Sequence, residues 1–416
     1  MKIVHIITRF ILGGAQENTL ITCRLLAEHG HDVTLITGPA MGPEGALFEQ
    51  ARNAGFDIIV IPQMRREINP LNDLPACLEI KKHLKRIKPD IVHTHSAKAG
   101  ILGRFAAFSL KGKFQRKKAP FVVHTLHGLS FHPYQSPMLN RLYIAIEKAA
   151  AKKTDFFISV ADAMTQKSLQ EGIGRPDRFV TAYSAIEEDD FLSYPGDQAV
   201  NDFRRKYGIN EQAIVLVTIA RLAELKGHDY IIDSAVSLAG DYENCVWLFV
   251  GDGELSQQIK QRIRLESLGY RFKFTGLLGP HQIPLAIHAS DILVHCSLRE
   301  GLARVLPQAM LCAKAVVSFD IDGANEVVNE NTGLLIEPEN VDDLTQACAR
   351  LIEDPDLRIT LGENARESVR TKFAPETMLS TIEKVYAHLL EGKPLDIRPS
   401  ADSGPAANAV MREDES

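Results

Sequence analysis

KIVHIITRFILGGAQENTLITCRLLAEHGHDVTLIT, residues 2–37, is the stretch that decides the fold. Its first seven residues form a short apolar run that reads as a buried strand. Gly13-Gly14 follows as a tight turn, Ala15 to His29 as an amphipathic helix, and Val33 to Thr37 as a second strand. That is one βαβ unit, and the alternation continues outward from it. Strand patterns at Ile58–Ile61, Ile91–Thr94, Phe121–Leu126 and Phe156–Val160 alternate with helical patterns at Asn72–Ile87, Ala97–Leu110, Pro137–Lys152 and Ala161–Glu171. Between Ala185 and Tyr207 acids, Pro195 and Gly196 break the pattern, which predicts an interdomain connection. A second series then runs through Ile214–Ile219, Val246–Val250, Phe272–Thr275, Ile292–His295, Ala315–Phe319 and Gly333–Ile336. Strands alternating with helices imply parallel sheets covered on both faces. The predicted architecture is α/β: two doubly wound Rossmann-like domains facing across a cleft, residues 1–190 and 208–374. A helix over 375–391 is expected to cross back to the first domain. The tail over 393–416 mixes Pro, Ser, Ala and charge and is expected to be disordered.

Length agrees with two cores, since 416 residues exceed what one core of ordinary size holds. No apolar run reaches transmembrane length, and MKIVHIITRF reads as a strand rather than a secretory signal. Six cysteines lie scattered in apolar segments without C-x-x-C spacing, which points to reduced core thiols, a cytoplasmic setting and no zinc site. Charge is divided unevenly. Residues 1–186 hold 25 Lys+Arg against 15 Asp+Glu, a balance of +10, leaving −16 for the remainder and −6 overall. A basic first half suits an anionic partner such as a membrane surface or a phosphate-bearing acceptor. Nucleic acid is disfavoured because no binding module accompanies the charge.

The candidate ligand site centres on HCSLREGLARVLPQAMLCA, residues 295–313. Glu300 falls on a loop at a strand's carboxyl end. Pro307 is tolerated only in a first helical turn, so a helix starts near Arg304 and aims its amino terminus at Glu300. Free N–H groups from Leu302, Ala303 and Arg304 onward then suit a phosphate, and the Glu300 carboxylate suits hydroxyls beside it. One element offering both fits a sugar attached to a diphosphate; the alternative makes Glu300 a solvated loop residue. Arg221 and Lys226, in ARLAELKG at another strand end, become favourable together when a diphosphate neutralises them. Gly13 and Gly14 let backbone approach a phosphate from the opposite wall, unless they only pack helix on strand. Gly251 in GDGE is a nucleotide-side turn or a packing turn, since the third glycine of the dinucleotide fingerprint is Ser256. His127 is the histidine singled out to meet a hydroxyl, and His95 is placed on the acceptor side. Gly13, His127 and Glu300 are expected to face one cleft, with Arg221 and Lys226 opposite Glu300. Asp320 and Asp322 form a D-x-D, yet a diphosphate already served by Arg221 and Lys226 needs no metal. Lys111, Lys113, Arg116, Lys117 and Lys118 follow Phe108 and Leu110, a basic segment suited to anionic lipid or to plain solvation.

Taken in order, GGAQE, GHDVTLIT, PDIVHTH, HTLHG, ARLAELKG, FVGDGEL, SLREGLARVLPQAM and DGANEVV…TGLLIEP resemble the motifs of the family 4 retaining glycosyltransferases, from about Met1 to Leu390. The resemblance implies a GT-B fold with an acceptor-binding first domain and a nucleotide-sugar-binding second domain. It implies that Arg221 and Lys226 hold the donor diphosphate, that Glu300 and His127 contact the donor sugar, and that Gly14 and Gly301 approach the donor closely. The family usually has a second glutamate eight positions after the first; here that residue is Gln308, which can still hydrogen-bond ribose hydroxyls. The Asn-Gly pair usual in the linker is replaced by Ser184-Ala185. The implied activity is transfer of a hexose or N-acetylhexosamine from a nucleotide diphosphate to a glycan or lipid-linked acceptor, without a separate cofactor or metal. A nucleotide-sugar epimerase of the same fold, a non-catalytic nucleotide-sugar-binding protein and an NAD-dependent oxidoreductase are the competing readings. The last is disfavoured because neither glycine turn matches the fingerprint.

Overall fold

The computed structural model describes residues 1–40, 47–111 and 119–395. Within them the first sheet comprises β1 (Lys2–Ile7), β2 (Asp32–Thr37), β3 (Asp57–Val60), β4 (Ile91–His95), β5 (Phe121–Leu126), β6 (Phe156–Ser159) and β7 (Phe179–Thr181). All pair in parallel, in the order β3-β2-β1-β4-β5-β6-β7. The second sheet comprises β8 (Ile214–Ile219), β9 (Cys245–Val250), β10 (Phe272–Gly276), β11 (Ile292–His295), β12 (Ala315–Phe319) and β13 (Leu334–Ile336). Its order is β10-β9-β8-β11-β12-β13, again parallel. Both orders reverse beside their first strand, so each sheet has a switch point, between β1 and β4 and between β8 and β11. Crevices at carboxyl ends open there.

Burial on both faces explains why these strands read as nearly continuous apolar runs. Along β1, only Lys2 is exposed and the next five residues are buried. Two differences from the sequence reading stand out. Strand β7 was not anticipated, because its three residues lie at an edge and carry no periodicity. The stretch over 185–207 is not a plain connection but contains the helices Asp189–Leu192 and Asp197–Lys206. Gly196 precedes the second at its N-cap position, with a φ of 90° that suits glycine. It buries Val200 and Phe203 and sends Arg204 to the Ala289 carbonyl and the Asp291 carboxylate.

The helix Pro375–Glu391 packs Met378, Leu379, Ile382, Val385 and Tyr386 into the first domain's core beside Ile3, Val33 and Ile158. Each such buried side chain stabilises by roughly 1.5–3 kcal/mol. A separate apolar cluster runs without interruption from Leu126, Ala161 and Met164 of the first domain to Leu302, Leu306 and Val327 of the second. Among the described residues no helix is long and apolar enough to cross a membrane. Lys113, Arg116, Lys117 and Lys118 of the basic segment, and residues 396–416 of the tail, lie outside the described residues.

Candidate functional site

The second domain's wall is built at its switch point. The loop after β8 is locked to the loop after β11 through Gly227, which has φ 71° and where a Cβ would sit 1.8 Å from the Cys296 carbonyl oxygen. No residue with a side chain fits there. The Leu298 N–H donates to the Leu225 carbonyl at 2.8 Å, a second tie between the same loops. Their joining brings the Lys226 ammonium to Glu300 Oε1 at 2.5 Å, with His295 Nε2 3.7 Å from the same oxygen. Burial by itself would raise the Glu300 carboxyl. The Lys226 ammonium, with His295 beside it, overcomes this and holds it well below the usual carboxylate range. Glu300 is therefore a fixed anion that accepts hydrogen bonds and gives none. Its own N–H donates to Asp322 Oδ2 at 2.6 Å, which sets the loop's direction.

The helix after Glu300 spans Val305–Leu311, with Arg304 at its N-cap position and Pro307 in its first turn. Arg304 crosses to the first domain. Its guanidinium donates to Glu17 Oε2 at 2.5 Å and to the Ala185 carbonyl at 3.0 Å. Glu17 stands in the first turn of the helix Gly14–Glu28, and a Cβ on Gly14 would lie 3.2 Å from Arg304 Cδ. Further contacts close the two domains. Lys167 meets Asp322 at 2.5 Å, and the Glu326 carboxylate accepts the N–H groups of Asp162 and Ala163 at 2.7 and 2.8 Å. Gly301 packs under the first domain, where a Cβ would be 2.0 Å from the His127 carbonyl oxygen.

Between the walls lies a cavity of about 670 Å³ whose lining includes Gly13, Gly14, Arg221, Lys226, Gly251, Arg304 and Gln308. That volume is in the range of sites that enclose ligands of drug size. The expected residues thus divide into two groups. Glu300 is joined to the cavity through Lys226 rather than lining it, because its carboxylate is drawn onto the ammonium. Gly301, Leu302 and Ala303 are buried and stand behind the wall, since the loop packs beneath the His127 carbonyl. His127 is likewise absent from the lining; it sits beside Arg304, and burial followed by that cation pulls its ring down to about 3. Of the three residues expected to face one cleft, Gly13 lines this cavity, while Glu300 and His127 stand directly behind Lys226 and Arg304, which line it.

Arg221 does not turn to Glu300 either: its guanidinium donates to Glu254 at 3.0 Å. His95 cannot meet an acceptor directly, being 1% exposed and hydrogen-bonded between His5 and His127. Lys111 is paired with Asp155 at 2.9 Å rather than free for lipid. Gly251, at φ 134°, serves both readings, for it lines the cavity and a Cβ there would be 2.1 Å from the Ala220 carbonyl oxygen. Asp322, offered by the sequence as half of a D-x-D, holds Glu300 and Lys167 instead. Glu17, His5 and His295 escaped the sequence reading. An acid in a first helical turn is ordinarily explained by the dipole, and histidines on apolar strands by the core.

Two family models match this chain, one described as Glycosyltransferase Family 4 over residues 12–190 and the other as Glycosyl transferases group 1 over residues 200–368. An Escherichia coli UDP-Gal:alpha-D-GlcNAc-diphosphoundecaprenol alpha-1,3-galactosyltransferase is 28% identical over 94% of this chain and 98% of its own length. N-acetyl-alpha-D-glucosaminyl L-malate synthase of Bacillus anthracis is 25% identical over 88% and 91%. Among solved structures, Anabaena HepE in complex with UDP-glucose superposes with a TM-score of 0.77 at 23% identity, covering 93% of this chain and 99% of that one. WaaG, a glycosyltransferase involved in lipopolysaccharide biosynthesis, superposes at 0.71 and 20% identity, covering 94% and 100%.

Proposed function

This chain belongs to family 4 of the glycosyltransferases, enzymes that use a nucleotide-sugar donor, and from that premise we infer the finer reaction. It moves a hexose or N-acetylhexosamine, with retention of anomeric configuration, to a lipid-linked or glycan acceptor in the synthesis of a cell-surface polysaccharide or glycolipid. The observation that carries this reading is the Lys226–Glu300 pair at the β8/β11 switch point, with Lys226, Arg221 and Gly14 on one cavity.

In this reading the donor diphosphate lies against Arg221 and Lys226, with Arg304 and the backbone of Gly13 and Gly14 closing from the other wall. Lys226 then serves two anions at once, Glu300 and the phosphate. The carboxylate of Glu300 accepts from donor sugar hydroxyls, and His127 hydrogen-bonds the sugar near its transferred carbon. Gln308 and Gly251 take the nucleoside side. As the glycosidic bond stretches, charge grows on the departing diphosphate, where Arg221 and Lys226 stabilise it. The acceptor attacks from the same face as the leaving group, assisted by the departing phosphate, as the resemblance to retaining family 4 enzymes implies. Closure through Arg304–Glu17 and Lys167–Asp322 excludes water and favours transfer over hydrolysis.

A lipid-linked acceptor calls for work at a membrane surface. The neighbouring helices Pro70–Ile87 and Ala97–Lys111 expose Leu71, Leu74 and Leu78 on one and Phe105 and Phe108 on the other, which supports peripheral contact with a membrane surface. Mixing the enzyme with UDP-sugars and candidate acceptors tests the reaction. Nucleoside diphosphate is expected only when both are present, and NMR of the product is expected to show the donor's anomeric configuration. Release without acceptor would favour a hydrolase, isomerisation of the donor without release would favour an epimerase, and an inverted product would end the same-face mechanism.

A further inference from the structure

Four histidines of the first domain pack ring against ring: His5 on β1, His93 and His95 on β4, and His127 just past β5. Pairing of β1 with β4 sets His5 beside His93, and both are 0% exposed. Three of the four form a chain. His5 Nδ1 is 2.9 Å from His95 Nε2, and His95 Nδ1 is 3.0 Å from His127 Nε2. The inner end of that chain, His5 Nε2, is buried and has no hydrogen-bond partner among the described residues. His93 stands beside the chain, with Nδ1 on the Tyr386 hydroxyl and Nε2 on the Thr125 hydroxyl, both at 2.6 Å. Nitrogens of His5, His93 and His95 lie within 4.8 Å of one another, a spacing that invites a cation. The hydrogen bonds argue otherwise, because both nitrogens of His93 and of His95 are already engaged.

Burial keeps these rings neutral. His5 and His127 are pulled down to about 3 from an ordinary 6.5, and His93 and His95 well below it. A neutral imidazole has one N–H and one bare nitrogen. Two bonds through three such rings therefore allow only two arrangements. With hydrogens directed outward, His5 Nδ1–H donates to His95 Nε2, His95 Nδ1–H donates to His127 Nε2, and His127 carries its proton on Nδ1. With hydrogens directed inward, every bond reverses and His5 must carry its proton on Nε2. That would leave an unpaired N–H in a sealed interior. Orphaned buried donors are rarer than bare acceptors, so the inner end selects the outward direction.

We propose that His5 and His95 are positioning residues that fix His127 as its Nδ1–H tautomer, making it a neutral hydrogen-bond donor to an oxygen of the nucleotide sugar and not a base. The functional half of this inference rests on His127 contacting the donor, as read above. The orphan nitrogen of His5, inside β1, thereby decides the chemistry offered two strands away. It also explains why His95, buried out of reach of any acceptor, still matters to the reaction.

Long-range proton–nitrogen correlation spectra of the full chain labelled with 15N-histidine read each ring's tautomer directly, and His127→Gln and His95→Asn spectra supply assignments. At neutral pH His5, His95 and His127 are expected to be protonated at Nδ1 and bare at Nε2. A His127 protonated at Nε2, or at both nitrogens, overturns the proposal. His5→Asp replaces the donor with an acceptor and is expected to reverse the chain. His127 then moves to the Nε2–H form and kcat falls at least tenfold, with the donor KM changed less than threefold. A folded His5→Asp protein whose His127 stays protonated at Nδ1 overturns the coupling; if that variant does not fold, the wild-type spectrum decides alone. His127→Gln separates this from the reading beneath it. Unchanged transfer in that variant removes His127 from the donor site, and with it the role of the chain, even where the tautomers are as stated.

Discussion

Lys226 and Glu300 share one short contact and neither works alone. Removing the ammonium takes away a preorganised cation from the leaving diphosphate, a loss worth on the order of 10²–10³ in kcat. Lys226→Ala is therefore expected to lower kcat by about that factor. The pair is mostly buried, at 27% and 21% exposed, so leaving Glu300 without its ammonium is also expected to lower the thermal midpoint, with the fold intact. Activity near wild type, measured as nucleoside diphosphate released per acceptor consumed, contradicts the assignment. Glu300→Gln asks a different question, because the amide keeps the shape and loses the charge. It can no longer draw Lys226 into place or accept at both atoms, so kcat is expected to fall while the thermal midpoint moves by only a few degrees.

Loops, not strands, carry the site, and three glycines hold those loops where side chains would collide with backbone. At Gly301 a Cβ would lie 2.0 Å from the His127 carbonyl oxygen and 3.1 Å from the Gly128 nitrogen. Neither neighbour is the flexible end of a side chain, so the loop itself must move. Gly301→Ala is expected to cost about 1–3 kcal/mol in urea unfolding and to depress kcat more than tenfold. Gly240→Ala is the comparison, since nothing lies within 4 Å of its Cβ position. Equal effects of the two substitutions would mean that the Gly301 loop does not brace the site. The same reasoning applies at Gly227, where the Cys296 carbonyl leaves no room and the loop bearing Lys226 depends on the fit.

At the scale of the whole molecule, the two domains are joined by a shared apolar cluster and by polar contacts that belong to neither core. Arg304 reaches Glu17 and Ala185, while Asp322 reaches Lys167. Arg304→Ala is expected to widen the cleft, raising the radius of gyration in X-ray scattering, and to raise the share of donor lost to hydrolysis. No change in either would show that apolar contacts alone keep the domains together. Stability against acid is a second property of the whole. His5 and His127 are depressed to about 3 and His228 and His288 to about 4, each chiefly by burial, so the folded chain stays neutral at these rings where the unfolded chain binds protons. More protons on the unfolded state means stability rises with pH, by up to ~1.4 kcal/mol per pH unit for each ring. The expected profile is flat above pH 6.5 and falls steeply from there toward pH 4, with Glu300 adding its own loss at lower pH. A flat urea midpoint between pH 6.5 and 5 would show that these histidines are not held neutral.

Apart from the edge strand β7 and the helices Asp189–Leu192 and Asp197–Lys206, periodicity determined the two parallel sheets, their covering helices and the strand ends where Arg221, Lys226 and Glu300 stand, because alternation between periods of two and 3.6 is a local property of the chain. Motif order added the family. What the chain could not display was anything set by partners distant in sequence. The choice of Glu254 for Arg221, of Glu17 for Arg304 and of Asp322 for the Glu300 N–H spans 33, 287 and 22 residues, and each follows from which loops the sheets bring together. His95 shows the limit most plainly. Its place near a strand end suggested contact with an acceptor, whereas the pairing of β1, β4 and β5 turned it inward, between His5 and His127. Which face of a central strand meets a ligand and which meets another ring is decided only when neighbouring strands take their register.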